Sequence, residues 1–341
     1  MITVIHPGML TSVQDLGRPG HRQLGINPGG ALNSMALSVA NLLVGNPVGA
    51  AGLEITMGAC ELRFSSDTRI ALSGDDFDAQ LDGKPIAPYW SLPVRAGQTL
   101  KLAHAGYHPG QGIRSYLAVT GGIAVPPVLG SCSTDLKAGF GGHQGRALRK
   151  GDRLPLGETS AAHDRLHIGG PAFGVRSPQW SGLGQNSHDK AQLINLRVLP
   201  GPEFDQFTVT ARNALWQDQW RITPNSNRMG YRLEGSELKR KPNRDLLSHG
   251  VIPGVIQVPP AGQPIILMGD AQTTGGYPKI GVVIQADLWK LAQAPLNARL
   301  QFQLCDLEQA LHAWEEQQAY LHHIEQTMLA LNWSRATQYR K

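Results

Sequence analysis

The sequence predicts a mainly β protein with a few helices and a C-terminal amphipathic helix. Glycine and proline occupy 40 and 23 of the 341 positions, which favours turns and short strands over a helical bundle. Short apolar or alternating segments recur along the chain between these turn residues. The apolar content of 41% and charged content of 17% are typical of a folded globular protein.

Composition also narrows the class of protein. No apolar stretch approaches the roughly 18 residues of a membrane span, and the N-terminus does not resemble a secretory signal. The net charge of +5 is scattered, so we expect neither nucleic acid nor a membrane as a partner. Three cysteines lie far apart and form no Cys-x-x-Cys motif, which predicts reduced thiols in a cytoplasmic protein: Cys60, Cys132 and Cys305.

Residues 1–157 predict an N-terminal β domain that contains one helix. Apolar residues at helical spacing from Leu32 predict this helix, and Gly45 is a suitable stop. Strands are predicted in the segments ITVI, LRF, TRIALSG, FDAQLDGK, TLKLAHAG and RSYLAVTGG. Residues 158–192 are polar, glycine-rich and aperiodic, which indicates a linker or a long loop.

Residues 193–305 predict a second β domain. Helices are expected near 203–216 and over 286–293. Strands are predicted in LINLRVLPG, WRITPNS, MGYRLEG, VIQVPP, PIILMGD, KIGVVIQ and LQFQLCD.

The C-terminal segment 306–332 predicts one long amphipathic helix. From Leu307, apolar residues recur at helical spacing, and Gln318 alone breaks the stripe: 311, 314, 321, 324, 328 and 331. The stripe either docks on the chain's own β domain, which we favour, or binds a partner.

The common signatures of nucleotide and hydrolase sites are absent from the sequence. There is no GxxxxGK[ST] loop, no GxGxxG between a strand and a helix, no G-x-S-x-G elbow and no HExxH helix. We therefore expect no protein-held metal centre.

The segment GDAQTTGGYPKIG (269–281) is the strongest candidate site, because core-like strands flank it. Thr273 and Thr274 offer hydroxyl groups, and the Gly275–Gly276 pair allows main-chain N–H groups to approach a ligand. Lys279 supplies a charge. Asp270 either orients that charge or takes part in proton transfer. The simpler interpretation is a glycine turn with a surface lysine.

Three further segments are candidates. In TSVQDLGRPGHRQLGI (11–26), Asp15 and Arg18 form either an ion pair that fixes the loop or a fork for a carboxylate or phosphate. GSCSTDLKAGFGGHQGRALRKGD (130–152) is either an anion-binding loop or a set of irregular turns. PNSNRMGYRLEG is rich in polar groups, and His249 downstream is either a general base or a structural histidine.

Taken together, these segments resemble the biotin-dependent carboxyltransferase-like family, which includes KipA and was formerly called allophanate hydrolase subunit 2. The matching motifs run in order over about residues 2–305 and include SNRMGYRLEG and DAQTTGGYPKIG. Within the family, SHGVIPGVIQVPP and LMGDAQTTGGYP are most similar to the proteobacterial 5-oxoprolinase members. One departure is Asn33, where many members carry aspartate; a helix N-cap role would survive this change.

The resemblance implies two cyclophilin-like β-barrel domains and an enzyme built from several subunits. It implies two other proteins in the assembly: one of the KipI-like type, which binds this chain directly, and one of the LamB/YcsF type. Such a system opens 5-oxoproline to L-glutamate with ATP and Mg²⁺. The chain lacks an Ala-Met-Lys-Met motif, so we expect no covalent biotin on it. Two alternatives stay open: a non-catalytic, KipA-type antagonist of a KipI-like kinase inhibitor, and a carboxyltransferase acting on biotin carried by another protein.

Activation of a lactam by phosphorylation needs cations and N–H donors around the migrating phosphoryl group. We therefore expect four residues to act in catalysis: Asp15, Arg228, Asp270 and Lys279. Eight further residues are expected to bind substrate or phosphate: Arg18, Asn227, Tyr231, Thr273, Thr274, Gly275, Gly276 and Tyr277.

Overall fold

The computed structural model describes residues 1–104, 112–158, 168–178, 193–241 and 246–331. Their contacts define two compact units. The first unit draws on Met1–Arg18, Gly29–Ser181 and Gln318–Lys341, and the second on Pro19–Pro28 and Gly182–Gln317. Most of the predicted linker lies outside the described residues, so its bounds stay a prediction.

The first unit contains two six-stranded antiparallel sheets. Its strands are β1 (Ile2–Pro7), β2 (Leu10–Gln14), β3 (Gly52–Thr56), β4 (Cys60–Phe64), β5 (Thr68–Gly74), β6 (Gln80–Leu81), β7 (Lys84–Pro85), β8 (Trp90–Val94), β9 (Thr99–Lys101), β10 (Arg114–Val119), β11 (Arg153–Leu154) and β12 (Phe173–Gly174). One sheet has the order β11-β1-β4-β9-β6-β7 and the other β12-β8-β5-β10-β3-β2.

Strand β10 is buried along its whole length, because different elements cover its two faces. Leu117 and Val119 join the main apolar core of this unit. Ala118 instead packs in a second cluster with the helix Ser34–Leu43. The N-cap of this helix is Asn33, whose side-chain oxygen accepts from the main-chain N–H of Ala36 at 3.0 Å. Asn33 therefore has the N-cap role expected for it.

The second unit contains a closed seven-stranded barrel. Its strands are β13 (Leu193–Pro200), β14 (Gln219–Ile222), β15 (Gly230–Glu234), β17 (Val255–Gln257), β18 (Ile265–Leu267), β20 (Lys279–Val283) and β21 (Arg299–Leu304). Their order in the barrel is β13-β20-β17-β18-β15-β14-β21. The pair β13–β21 is parallel and closes the barrel. A separate two-stranded sheet is formed by β16 (His249–Gly250) and β19 (Thr274–Gly275).

The helices of the second unit are short. The helix predicted near 203–216 is divided into a 3₁₀ turn, Phe204–Gln206, and an α-helix, Val209–Gln217. The division occurs because Thr208 is extended and caps the second piece, accepting from the N–H of Ala211 at 3.2 Å. The other short helical segments are the 3₁₀ turns Arg22–Leu24 and Gln285–Asp287 and the α-helix Leu288–Gln293.

The C-terminal helix spans Leu307–Ala330, and its apolar stripe is buried only toward its C-terminal end. Ile324 and Met328 are buried, whereas Leu307, Leu311 and Trp314 remain exposed. Small residues, Ala310 and Ala313, pack on the barrel side instead. The expected docking on the chain's own β structure is thus only partly realised. The remainder of the fold class is confirmed: a mainly β protein with a closed barrel, few helices and a C-terminal helix.

None of the helices in the described ranges is long and apolar enough to cross a lipid bilayer. The three cysteines are free thiols.

Asp287 is a buried carboxylate of the second unit that two cations surround. It is fully buried, and it accepts from the main-chain N–H of Arg197 at 2.8 Å and from its guanidinium at 2.7 and 3.1 Å. The Lys290 ammonium lies 3.0 Å away. Burial by itself would raise the pKa of Asp287, but the hydrogen bonds and charges of Arg197 and Lys290 outweigh it and lower the pKa below 3.8.

We predict that Asp287→Asn lowers the free energy of unfolding by about 3 kcal/mol at neutral pH, because two cations then lack their buried counter-charge. The folded-state pKa of Asp287 is lowered, so the wild-type advantage is present above about 3.8 and is lost as the pH falls through the folded-state value. Urea unfolding at several pH values measures both effects.

The control is Asp205→Asn, which removes an exposed ion pair with Arg212 and is expected to change stability by less than about 1 kcal/mol. Equal losses in the two variants would contradict the prediction.

Candidate functional site

The predicted site residues are distributed over both units. Asp15 and Arg18 belong to the first unit, and all the others belong to the barrel unit.

Lys279 is a buried lysine at the start of β20. It is 2% exposed, and its Nζ donates to the main-chain oxygen of Gly275 at 3.1 Å. Burial lowers the pKa of Lys279 below its ordinary 10.5, and the charge of Glu203 partly opposes this effect. Lys279 is therefore not the surface lysine of the simpler interpretation.

Glu203 fixes the main chain of Lys279. Its Oε2 accepts from the main-chain N–H of Lys279 at 2.8 Å, and its own N–H donates to the Lys279 carbonyl at 3.3 Å. Gly201 allows this approach, because a Cβ there would lie 2.2 Å from the same carbonyl oxygen. No sequence motif marks Glu203, since the contact joins segments that are 76 residues apart.

Gln257 is a second candidate residue that sequence patterns did not reveal. It pairs with Lys279 in the β17–β20 ladder and is 2% exposed. Its Oε1 accepts from Gln272 Nε2 at 3.4 Å, whereas its buried Nε2 has no hydrogen-bond partner among the residues that the structure describes. A Cβ on Gly275 would lie 2.4 Å from that Nε2, so Gly275 leaves the space that the amide occupies.

Two donors therefore converge on Gly275: the Lys279 ammonium and the Gln257 amide. One is a buried cation and the other is a buried amide with an unused N–H. Such a pair can bind a carbonyl oxygen or a phosphate oxygen and stabilise negative charge that develops on it.

The small sheet β16–β19 borders these donors. His249 pairs with Gly275, and its Nε2 lies 3.8 Å from Glu203 Oε1. Thr273 is nearly buried, and its carbonyl accepts from the N–H of Val251 at 3.0 Å. Thr274 and Tyr277 are exposed, and Gly276 is half-buried. The Thr-Thr-Gly-Gly segment thus forms a strand edge beside Lys279.

Arg228 and Asp270 form a buried two-point ion pair in the same unit. The Arg228 Nε donates to Asp270 Oδ2 at 2.8 Å, and a terminal nitrogen of the same guanidinium donates to Asp270 Oδ1 at 3.0 Å. The N–H of Asp270 also donates to the Arg228 carbonyl at 3.0 Å, so the pair continues the β15–β18 ladder past its end. Asp270 therefore orients the Arg228 guanidinium.

Asn227 and Tyr231 have local structural contacts. Asn227 is exposed and stabilises a turn, because its Oδ1 accepts from the N–H of Met229 at 2.8 Å. Tyr231 is 2% exposed and lies within the barrel strand β15.

In the first unit, Asp15 binds a neighbouring loop rather than Arg18. Its Oδ1 accepts from Ser131 Oγ at 2.6 Å, from Ser133 Oγ at 2.5 Å and from the N–H of Gly17 at 2.7 Å. Its Oδ2 accepts from the N–H of Cys132 at 2.6 Å. Arg18 donates to the Ser133 carbonyl and lies over the Phe140 ring at 4.7 Å. The loop-fixing role is thus performed by Asp15 without the guanidinium.

Within the described ranges, no three His, Cys, Asp or Glu side chains are close enough together to hold a metal ion.

The fold and these motifs define a carboxyltransferase-type protein. Residues 24–304 match the family model for the carboxyltransferase domain, subdomains A and B. The chain therefore belongs to this family, which confirms the resemblance seen in its motifs.

Two curated relatives are similar over nearly their whole length. The chain is 48% identical over 324 residues to the C subunit of 5-oxoprolinase from Escherichia coli (strain K12), covering 95% of this chain and 97% of the relative. It is 39% identical over 325 residues to the protein of the same name from Haemophilus influenzae, with the same two coverages.

Solved structures share the fold. The urea amidolyase of K. lactis superposes with a TM-score of 0.83 at 29% identity, covering 95% of this chain and 20% of that chain. The protein TTHA0988 superposes with a TM-score of 0.72 at 35% identity, covering 89% of this chain and 55% of that chain. The chain thus spans about a fifth of the first protein and about half of the second.

We predict that Gly275→Ala displaces the Gln257 amide, because the new Cβ would lie 2.4 Å from its Nε2. The cost in unfolding free energy is expected to be about 1–3 kcal/mol, since overpacking forces side chains off their preferred rotamers.

The matched control is Gly276→Ala, where the nearest atoms lie at 3.3 Å, so a smaller loss is expected. Chemical denaturation of both variants measures the difference. An equal or larger loss of unfolding free energy in Gly276→Ala than in Gly275→Ala would contradict this prediction.

Proposed function

We propose that the chain is the third subunit of an ATP-dependent 5-oxoprolinase, which opens 5-oxo-L-proline to L-glutamate. The observation that carries this proposal is the 48% identity to the C subunit of a 5-oxoprolinase over 97% of that relative. Relatives that are named as subunits support a complex of several different chains. We propose that its other members are a KipI-like protein, which binds this chain directly, and a LamB/YcsF-type protein, in the cytoplasm.

The proposed chemistry begins with activation of the lactam. A lactam resists hydrolysis because amide resonance must be broken. Transfer of the ATP γ-phosphoryl group to the lactam oxygen releases ADP and makes the ring carbon a better electrophile. Water adds to that carbon, the C–N bond breaks as the nitrogen takes a proton, and hydrolysis of the acyl phosphate releases phosphate. ATP and its Mg²⁺ enter with the assembled complex, and no biotin is attached to this chain.

The proposed role of the barrel unit is to bind the oxygen on which charge develops. The Lys279 ammonium and the Gln257 Nε2 donate to it, and main-chain N–H groups at Gly275 and Gly276 are placed beside them. Buried donors are already oriented and are little screened by water, so they stabilise a transition state more strongly than exposed ones. Glu203 keeps Lys279 in position.

The other predicted residues have supporting roles in this proposal. In the barrel unit, Arg228, oriented by Asp270, binds an anionic group of substrate or phosphate. Arg18 is proposed separately as an anion-binding residue of the first unit. Asp15 organises the loop against which Arg18 lies. Contacts from the strand edge to the ligand are proposed for Thr273, Thr274 and Tyr277. Asn227 and Tyr231 maintain the turn and the strand that carry Arg228.

We predict that Lys279→Met lowers 5-oxoproline-dependent ATP hydrolysis by the assembled complex by at least about 100-fold, because a donor to the developing oxyanion is lost. The complex itself is expected to assemble normally, which size-exclusion chromatography checks. The control is Lys84→Met, which removes an exposed lysine from β7. Normal turnover by an assembled Lys279→Met complex would refute the role of this ammonium.

The alkaline side of the pH profile provides a second test. Lys279 carries its charge below its pKa, and burial lowers that pKa below 10.5. Activity should therefore fall on the alkaline side before an ordinary lysine would titrate. Lys279→Arg keeps the charge at all accessible pH values, so its weaker activity should lack this decline. A profile of kcat/KM against pH measures this, and the same decline in both proteins would contradict the assignment.

Carboxyl transfer is a second candidate function, favoured by the structural similarity to the K. lactis urea amidolyase. The same complex, supplied with ATP and either 5-oxoproline, urea or neither, distinguishes the two. ATP hydrolysis that depends on urea and not on 5-oxoproline would favour the second candidate.

A further inference from the structure

We propose that Gln14 and Arg18 of the first unit form a binding site for a small acid that carries an amide N–H next to its carboxylate. The choice of 5-oxo-L-proline as the probe ligand rests on the proposed function. The site itself is inferred from unsatisfied buried groups within the first unit.

Arg18 is a buried cation whose hydrogen-bonding capacity is largely unused. The residue is 0% exposed, and one terminal nitrogen donates to the Ser133 carbonyl. Its Nε and its other terminal nitrogen are buried and have no hydrogen-bond partner within the described part of the chain. Burying an arginine without a counter-charge is costly, so these two N–H groups indicate a place for an anionic oxygen.

Arg69 shows that the same unit can satisfy a buried arginine fully. It is also 0% exposed and lies over a phenylalanine ring, that of Phe173, at 5.3 Å. One of its terminal nitrogens donates to Ser91 Oγ at 3.0 Å, and the other to the carbonyls of Gly170 and Pro171, each at 2.8 Å. The unused Nε and terminal nitrogen of Arg18 thus contrast with the terminal nitrogens of Arg69, which both have partners.

Gln14 adds an unused acceptor in the same neighbourhood. It is 0% exposed, and its Nε2 donates to Ser12 Oγ at 3.0 Å and to the Thr134 carbonyl at 3.2 Å. Its Oε1 is buried without a partner among the described residues. Because Arg18 and Gln14 bind the carbonyls of consecutive residues, Ser133 and Thr134, both side chains lie against one loop.

Asp15 makes this loop rigid. Three of the hydrogen bonds that its carboxylate accepts hold residues 131–133 beside the end of β2, where Gln14 lies, and a fourth comes from the N–H of Gly17. These bonds occupy the carboxylate, so it does not neutralise the guanidinium by direct contact. Asp15 is thus a positioning residue, because it fixes the loop against which the Arg18 donors and the Gln14 acceptor lie.

A glycine-rich loop covers the guanidinium. Gly139, Gly141, Gly142 and Gly145 all have positive φ, where other residues are strained. A Cβ on Gly141 would lie 2.3 Å from the Ser133 oxygen and 3.0 Å from an Arg18 terminal nitrogen. Glycine at position 141 therefore permits the close approach of this loop to the hydrogen bond between Arg18 and Ser133.

The two side chains together select a ligand by complementarity. Arg18 offers donors and requires an anionic acceptor, whereas Gln14 Oε1 is an acceptor and requires a donor. In 5-oxo-L-proline the carboxylate is attached to the carbon next to the ring N–H, so it presents both groups on one edge. Inorganic phosphate and N-methyl-5-oxo-L-proline supply the anion without that N–H, and 2-pyrrolidinone supplies the N–H without the anion.

The test is calorimetric titration of the full chain with these four compounds, without ATP or other proteins of the complex. We expect 5-oxo-L-proline to bind at least about tenfold more tightly than its N-methyl derivative and than 2-pyrrolidinone, because each lacks one buried hydrogen-bonding group. Gln14→Met should weaken the binding of 5-oxo-L-proline by about the same factor and leave the binding of the N-methyl derivative unchanged. Arg18→Met should weaken the binding of both acids by at least about tenfold, and any binding that remains is assigned to the barrel unit.

Arg69→Met is the matched control and should leave the binding constants unchanged. If Arg18→Met does not fold, the inference is tested by comparing how Gln14→Met changes the binding of 5-oxo-L-proline and of its N-methyl derivative. The inference would be overturned if 5-oxo-L-proline does not bind, or if Gln14→Met weakens the binding of both acids equally. If the complex hydrolyses 5-oxoproline but the chain does not show this binding pattern, only the binding-site inference is refuted. If the chain shows the binding pattern but the complex does not open the ring, only the proposed function is refuted.

Discussion

Burial of polar groups inside β structure is the constraint on which this molecule depends. A charge that is removed from water must find a partner, and the protein meets this requirement at several places. Asp287 is surrounded by Arg197 and Lys290, Asp270 binds Arg228 at two points, and Asp15 accepts four hydrogen bonds. Most of these contacts join segments that are far apart in the chain, as between Asp287 and Arg197, Asp270 and Arg228, and Asp15 and residues 131–133.

The buried polar groups that lack a hydrogen-bond partner contrast with these paired charges and indicate candidate ligand contacts. In the described ranges they include the Gln257 amide beside Lys279 and, in the first unit, Arg18 with Gln14. Gly275 leaves the space that the Gln257 amide occupies, whereas Gly141 lies beside the Arg18 nitrogen that already donates to the Ser133 carbonyl. We interpret the unsatisfied donors and acceptors at these two places as groups that a ligand would complete.

Local patterns were sufficient to predict the mainly β fold class, and they marked a segment in which the structure buries Lys279. The segment 269–281 indicated a ligand-binding loop because hydroxyls, glycines and Lys279 lie between core strands, and the N-cap role of Asn33 followed from its place before a helix. Glu203 and Gln257 were missed because their roles arise from strand pairing and from a contact across 76 residues. The stripe of the C-terminal helix was only partly buried, since Ala310 and Ala313 make the closer contact to the barrel.

The central claim is that the Lys279 and Gln257 donors bind the oxygen at which lactam activation takes place. A crystal structure of the assembled complex with 5-oxo-L-proline and a non-hydrolysable ATP analogue tests it most directly. The account predicts a substrate or phosphate oxygen within hydrogen-bonding distance of both Lys279 Nζ and Gln257 Nε2. A complex with both ligands bound elsewhere, and with only water at these two nitrogens, would contradict it.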